Sequence, residues 1–153
     1  MLATYALGGA GFFVAGLQDT AEDALDAVTL LTVGGVGVLS FLRHAVFAGS
    51  DSARLGWGSS NFQLEVGFAN LSFGVVALIA SLGDWGVGAE AAITLAYGFY
   101  LLQAAALHLR SYLSGAQRSL GRLLGGVLAS FAISGGLIYV ALNAAHAASL
   151  EPF

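Results

Sequence analysis

The sequence predicts an all-α integral membrane protein, a single-domain bundle of five transmembrane helices, and three observations lead to this prediction. Hydrophobic residues make up 58% of the chain and charged residues only 9%, whereas a soluble domain carries about 25% charged residues. The mean hydropathy is +0.83. The 153 residues also divide into five apolar segments, and each segment is close to the roughly 20 residues that a transmembrane helix needs.

Short polar connections separate the predicted spans. The first span starts at the N-terminus with no basic residues before it, which argues against a cleaved signal peptide. The acidic stretch QDTAEDALDA follows, and the second span ends near Arg43 and His44. The loop AGSDSARLGWGSSN leads to the third span, where Ser60 and Gln63 fit a helix capping box. The turn GDWGVG and the stretch SYLSGAQRSLGR precede the fourth and fifth spans. The predicted spans cover about residues 1-17, 28-47, 62-82, 89-110 and 123-148.

The charges are distributed asymmetrically along the chain. All five basic residues are arginines in the second and fourth connections, whereas the first and third connections are acidic. Because basic residues are retained on the cytoplasmic side, we predict a cell-membrane protein with its N-terminus in the cytoplasm and its C-terminus outside. A four-span alternative, with the first segment on the membrane surface, keeps the arginines on one side. The arginines are Arg43, Arg54, Arg110, Arg118 and Arg122.

Several residue types are absent, and their absence narrows the function. The chain contains no cysteine, which excludes thiolate chemistry and iron–sulfur ligation. It contains no lysine, so a retinal or pyridoxal Schiff base is excluded. A formal charge of −4 with only five arginines argues against nucleic-acid binding. No catalytic constellation is apparent, so the sequence favours a protein that is not an enzyme.

Glycine is abundant, with 22 residues, and small residues allow membrane helices to pack closely. On the third span, small and hydrogen-bonding residues alternate at helical spacing, and we predict that this face points inward. The face consists of Gln63, Gly67, Asn70 and Gly74. Further glycines on the second and fifth spans favour a homo-oligomer or packing with other membrane subunits. These are Gly34, Gly35, Gly37, Gly125, Gly126, Gly135 and Gly136.

Polar residues also gather near the cytoplasmic ends of three spans, where we predict a ligand-binding pocket. Its residues are Arg43, His44, Gln63, Glu65, Asn70, Gln103 and His108. Intramembrane ionisable residues are costly and indicate function by default. Here they favour a small-molecule ligand or a proton, with Arg43 as counter-ion. In the structural alternative, Glu65 pairs with Arg43 or Arg110. His44 and His108 could also hold haem or, with Glu65, a metal ion.

The residues GW and FQxEVGxANL, from Gly56 to Leu71, resemble a family of small bacterial and archaeal multi-span membrane proteins of unknown function. The resemblance implies a fold and marks candidate residues, but it implies no activity. The bundle is also loosely similar to DoxX-type membrane proteins, by analogy of fold.

Three functions are therefore open at this point. The leading hypothesis is a small-ligand or proton-linked binding and transport module in a prokaryotic cell membrane. The first alternative is a structural accessory subunit of a larger membrane complex. The second alternative is a haem-binding membrane oxidoreductase, with His44 and His108 as axial ligands.

Overall fold

The computed structural model describes residues 2–47, 61–115 and 118–150, and these ranges contain five helices. No β-strand occurs within these ranges, in agreement with the predicted all-α class. The predicted residues Arg54, Trp57 and Ser60 lie outside the described residues. We number the helices α1 (Leu2–Ala15), α2 (Ala21–Val46), α3 (Asn61–Leu82), α4 (Val87–Ser114) and α5 (Arg122–Leu150).

The helices α2 to α5 run up and down, with consecutive helices antiparallel. Gly37 of α2 lies against Gly74 of α3, and Gly98 of α4 lies against Ser134 of α5. Large apolar side chains cover the outer surface, as expected for a surface that faces lipid. The interior is built largely from small side chains, which include Ala77, Ala80, Ala91, Ala105, Ala141 and Ala144.

Four helices, α2 to α5, are long and apolar enough to cross a membrane. The first helix, α1, packs against α2 and α5, where Thr32 donates a hydrogen bond to the carbonyl of Gly8 at 3.2 Å. However, α1 has only 14 residues, which span about 21 Å, against a hydrocarbon thickness of about 30 Å. A membrane location is therefore supported by four helices, and the fifth crossing stays a prediction.

The second helix begins earlier than the sequence predicted, at Ala21 instead of Val28. The acidic connection is largely helical because Thr20 caps it, accepting a hydrogen bond from the backbone N–H of Asp23 at 3.0 Å. Acidic residues in the first turn also favour this helix end. Further along α2, the segments Val28–Gly35 and Leu42–Val46 are π-helical.

The predicted inward face of α3 is confirmed, because Gln63, Gly67, Asn70 and Gly74 are all buried. The glycines permit a backbone contact between α2 and α3. A Cβ added to Gly37 would lie 2.7 Å from both the carbonyl oxygen of Asn70 and the Cα of Gly74. No side chain fits in that space, so glycine is required where the two helices cross.

The arginines and most of the acidic residues lie at opposite ends of the bundle, whereas Glu65 lies at the same end as the arginines. We call the end with the C-termini of α2 and α4 the arginine end, and the other end the acidic end. The arginine end holds Arg43, Arg110 and Arg122, and the acidic end holds Glu22, Asp26, Asp84 and Glu90. This agrees with the charge asymmetry of the sequence. Which end faces the cytoplasm stays a prediction.

Candidate functional site

A buried hydrogen-bond network joins Asn70 of α3 to two tyrosines of α4. The Tyr97 hydroxyl donates to Oδ1 of Asn70 at 2.9 Å, and Nδ2 of Asn70 donates to the Tyr100 hydroxyl at 3.0 Å. The same Nδ2 donates to the carbonyl of Val66 at 2.8 Å. Asn70 is only 4% exposed and Tyr97 is fully buried. These partners supply the hydrogen bonds that the buried side-chain amide of Asn70 would otherwise make with water.

Aromatic packing holds the two tyrosine rings in place. The ring of Phe73, on α3, lies 5.4 Å from the rings of both Tyr97 and Tyr100. The two tyrosine rings lie 6.0 Å apart. Such offset and tilted pairs are favourable beyond the area that they bury. The hydroxyl groups are therefore presented to Asn70 by rings that pack against one another.

A second buried hydrogen bond lies closer to the acidic end, between Thr29 of α2 and Thr94 of α4. Their hydroxyl oxygens are 2.8 Å apart, and both side chains are fully buried. Thr94 lies one helical turn before Tyr97. Together these contacts fix α4 to α2 through Thr29 and to α3 through Asn70.

Helix α4 carries several of its polar residues on the side that faces the bundle, although Gln103 lies on the opposite side. With 3.6 residues per turn, Glu90, Thr94, Tyr97 and His108 fall within about 60° around the helix axis, and Tyr100 lies about 60° beyond Tyr97. We call these five residues the polar row. Its first and last members, Glu90 near the acidic end and His108 near the arginine end, are about 27 Å apart at 1.5 Å per residue, with about 12 Å of apolar face between Tyr100 and His108. This length is close to the thickness of the hydrocarbon core of a membrane.

Glu90 begins the polar row at the acidic end. Its side chain is only 7% exposed, although it belongs to the first turn of α4. The charged groups that act on it are Asp26, Glu22 and Asp84, all acidic. Asp26 accepts a hydrogen bond from the hydroxyl of Ser81 at the end of α3. The acidic end therefore contains a glutamate of low exposure in the neighbourhood of other acidic residues.

The structure divides the predicted pocket residues into three groups. Gln63 and Asn70 are buried, and Asn70 belongs to the tyrosine network. Three more residues are half-buried at the arginine end, whereas Glu65 and Gln103 are exposed. The buried interior therefore includes neither Glu65 nor Gln103, because their positions on α3 and α4 turn them away from the bundle. Ligand binding by these residues stays a prediction. The half-buried residues are Arg43, His44 and His108.

No group of three His, Cys, Asp or Glu side chains within the described ranges is placed to hold a metal ion. His44, His108 and Glu65 therefore do not form the metal site considered from the sequence. Two surface grooves have volumes of about 450 and 310 Å³. The larger lies along the end of α4 beside Arg110, and the smaller lies between α1, α2 and α5. Neither groove is lined by Asn70 or Gln63.

The sequence reasoning missed Glu90, Thr94, Tyr97 and Tyr100. Glu90, Tyr97 and Tyr100 all fall within the predicted fourth span, about residues 89-110, which was interpreted as an apolar segment. A signal was nevertheless present. Glu90, Thr94 and Tyr97 occupy positions i, i+4 and i+7, which is one face of a helix.

A family model matches residues 2–149, almost the whole chain, and its description is a family of unknown function, DUF6790. This agrees with the expectation of a family without an established activity. The GW and FQxEVGxANL motif and the likeness to DoxX-type proteins stay predictions. No curated protein and no solved structure gives a match to the chain. The protein belongs to the DUF6790 family and contains four helices that could span a membrane.

Proposed function

We propose that this protein is a proton-linked binding and transport module of the cell membrane, which takes a small ligand from the cytoplasm. The arginine end faces the cytoplasm in this proposal, as expected from the retention of basic residues on that side. The observation that carries the proposal is the polar row, which extends along α4 for a distance close to the membrane thickness.

The chemistry of the polar row favours proton transfer over simple helix packing. Its carboxyl, hydroxyl and imidazole groups can each donate and accept a hydrogen bond. Chains of such groups within membrane spans are typical of proton relays. Close packing alone needs only small residues, and glycine already supplies these where α2 crosses α3 at Gly37 and Gly74.

The arginine end is where we place the ligand. Gln63 is buried on the same face of α3 as Asn70, and seven residues along a helix separate them by about 10 Å. His44 and His108 are half-buried near the same end. An anionic or amide-bearing ligand would find hydrogen-bond donors there, and Arg43 would supply a positive charge. Glu65 and Gln103, which are exposed, would contribute at the entrance.

Proton flux into proteoliposomes tests this proposal. The purified chain is reconstituted with a pH-sensitive dye inside, and a potassium gradient with valinomycin supplies the driving force. We expect flux above that of protein-free vesicles, and at least a tenfold loss in Tyr97→Phe, which removes the hydroxyl that donates to Asn70. Tyr139→Phe is the matched control, because Tyr139 is 69% exposed on α5. Equal flux in wild-type and protein-free vesicles contradicts the proposal.

A structural accessory subunit is the second candidate, and the surface of α5 favours it. A Cβ added to Gly126 or Gly135 would have nothing within 4 Å in the described part of the chain. Small residues on an open helix face suit contact with another membrane helix. In this case the protein copurifies with larger partners in mild detergent. Gly135→Leu would then disrupt the complex, and Glu65→Gln would not.

A further inference from the structure

We propose that the groove between α1, α2 and α5 binds a phospholipid with an ethanolamine headgroup, taken from the membrane leaflet at the acidic end. The groove has a volume of about 310 Å³, at the lower end of the range of about 300–1,000 Å³ for ligand sites. This inference goes beyond the proposed function and does not depend on it, because it requires only that the chain spans a membrane.

The short first helix creates the groove. α1 begins level with the start of α5, since a Cβ added to Gly125 would lie 3.8 Å from the ring of Tyr5. It spans about 21 Å of a hydrocarbon core of about 30 Å, so it ends about 9 Å short at the acidic end, where α5 continues to Leu150. The groove runs along α5 from Gly136 to Asn143, which is about 10 Å at 1.5 Å per residue. The length of the groove therefore matches the length that α1 leaves uncovered.

Small and apolar side chains line the groove at the depth of the hydrocarbon core. Phe12 of α1 packs on the backbone of α5 at the floor, where a Cβ added to Gly136 would lie 2.8 Å from its ring. Past the end of α1 the groove is open in the described part of the chain. A Cβ added to Gly16 would meet, besides its neighbours in the chain, only two carbonyl oxygens of α1. Because water is excluded at this depth, an acyl chain is the part of the lipid that lies here. The other apolar lining residues are Ala15, Ala21, Ala24 and Val140.

Neutral hydrogen-bond donors lie where the groove reaches the acidic end. Tyr139 and Asn143 line the groove, and both are exposed on the same face of α5. A hydroxyl and a side-chain amide can each donate a hydrogen bond to a phosphate oxygen. His146 is also exposed and lies one turn beyond Asn143, so its imidazole supplies a third donor. These groups suit the phosphate of a phospholipid.

The charges around the same end complement an ammonium group. Asp19, Glu22 and Asp23 are exposed, and they lie before and within the first turn of α2, next to the lining residue Ala21. The C-terminus of α1 is directed to the same place, and a helix C-terminus favours a cation. The chain contains no lysine, and the arginines of the described helices lie at the other end. An anionic headgroup without an amine is therefore disfavoured by like charge.

Native mass spectrometry of the full chain in detergent tests the proposal. The delipidated protein is incubated with an equimolar mixture of phosphatidylethanolamine and phosphatidylglycerol that carry the same acyl chains. We expect the ethanolamine lipid to be retained at least fivefold more than the glycerol lipid, because only the first offers a cation. Equal retention of the two lipids, a preference for the anionic lipid, or no retained lipid would overturn the proposal.

Substitutions then locate the bound lipid. Ala21→Phe fills the groove and should reduce the retained ethanolamine lipid at least tenfold, whereas Ala145→Phe, which is exposed on the opposite side of α5, should not. Asp19→Asn combined with Glu22→Gln should lower the preference between the two lipids to less than twofold. Asp84→Asn is the matched control, since it removes a charge from the turn between α3 and α4, and it should keep the preference. Unchanged retention in Ala21→Phe would overturn the assignment to the groove.

The same spectra report the competing occupant, which is a second copy of the chain. A lipid-free dimer that is lost in Ala21→Phe would overturn the proposal, because a helix of the second copy would then cover the groove. The comparison of the two lipids uses the unmodified chain, so it decides the question even if Ala21→Phe does not fold. Since no step measures transport, a protein that retains the ethanolamine lipid but moves no protons would refute the proposed function alone.

Discussion

The substitution Gly37→Ala should destabilise the bundle by separating α2 from α3. The added Cβ would lie 2.7 Å from the carbonyl oxygen of Asn70 and from the Cα of Gly74, and 2.9 Å from the backbone nitrogen of Gly74. All three contacts are to backbone atoms, which cannot rotate away as a flexible side chain can. The two helices must therefore move apart, or the helix backbones must bend.

The magnitude follows from two opposing effects. Overpacking by one methyl group costs about 1–3 kcal/mol, and contact with rigid backbone places this substitution in the upper part of that range. Replacing glycine by alanine inside a helix returns about 0.5–1 kcal/mol. The net loss should be about 2 kcal/mol, or roughly 4–8 °C in the midpoint of thermal unfolding for a chain of this size.

Thermal unfolding in detergent measures the effect, with Gly126→Ala as the matched control. In the described part of the chain, a Cβ added to Gly126 would have nothing within 4 Å. Only the gain from replacing glycine by alanine inside a helix therefore remains, and the midpoint of thermal unfolding should stay equal or rise. If Gly37→Ala is as stable as Gly126→Ala, the close crossing of α2 and α3 is wrong.

Two further substitutions test the buried hydrogen bonds. Asn70→Leu removes the acceptor of the Tyr97 hydroxyl and the amide that donates to the Tyr100 hydroxyl, so stability in detergent should fall by about 1–3 kcal/mol. Ser72→Ala, at an exposed position of α3, should change it by less than about 0.5 kcal/mol. Thr94→Val removes the bond to Thr29 and should cost about 0.6 kcal/mol, and at most about 1.7 kcal/mol. A stabilised Asn70→Leu variant would contradict the proposed network.

The sequence predicted the helical membrane class and the packed face of α3 because both depend on local patterns. Composition identifies lipid as the solvent, and the spacing of Gln63, Gly67, Asn70 and Gly74 places them on one helix face. The arginines of the described helices gather at one end, as the sequence predicted, because consecutive helices alternate in direction.

The start of α2 and the burial of Glu90 could not be predicted from hydropathy alone. The apolar part of this segment begins at Val28, so hydropathy does not detect the helical turns that precede it. Thr20 followed by Asp23 is nevertheless a sequence that can cap the start of a helix. Glu90 lies at the polar edge of a span, and its burial depends on how α2, α3 and α4 pack together. The same holds for Tyr97, because an aromatic ring in an apolar helix suits either lipid or the interior until the rotation of that helix is known.

Labelling of single cysteines tests the central claim most directly, which is that the acidic and arginine ends lie on opposite sides of a membrane. The chain contains no cysteine, so Asp84→Cys and Arg118→Cys can each be labelled alone with a membrane-impermeant maleimide. Position 84 should react on intact cells, and position 118 only after permeabilisation. Reaction of both positions on intact cells, or of both only after permeabilisation, would contradict the account.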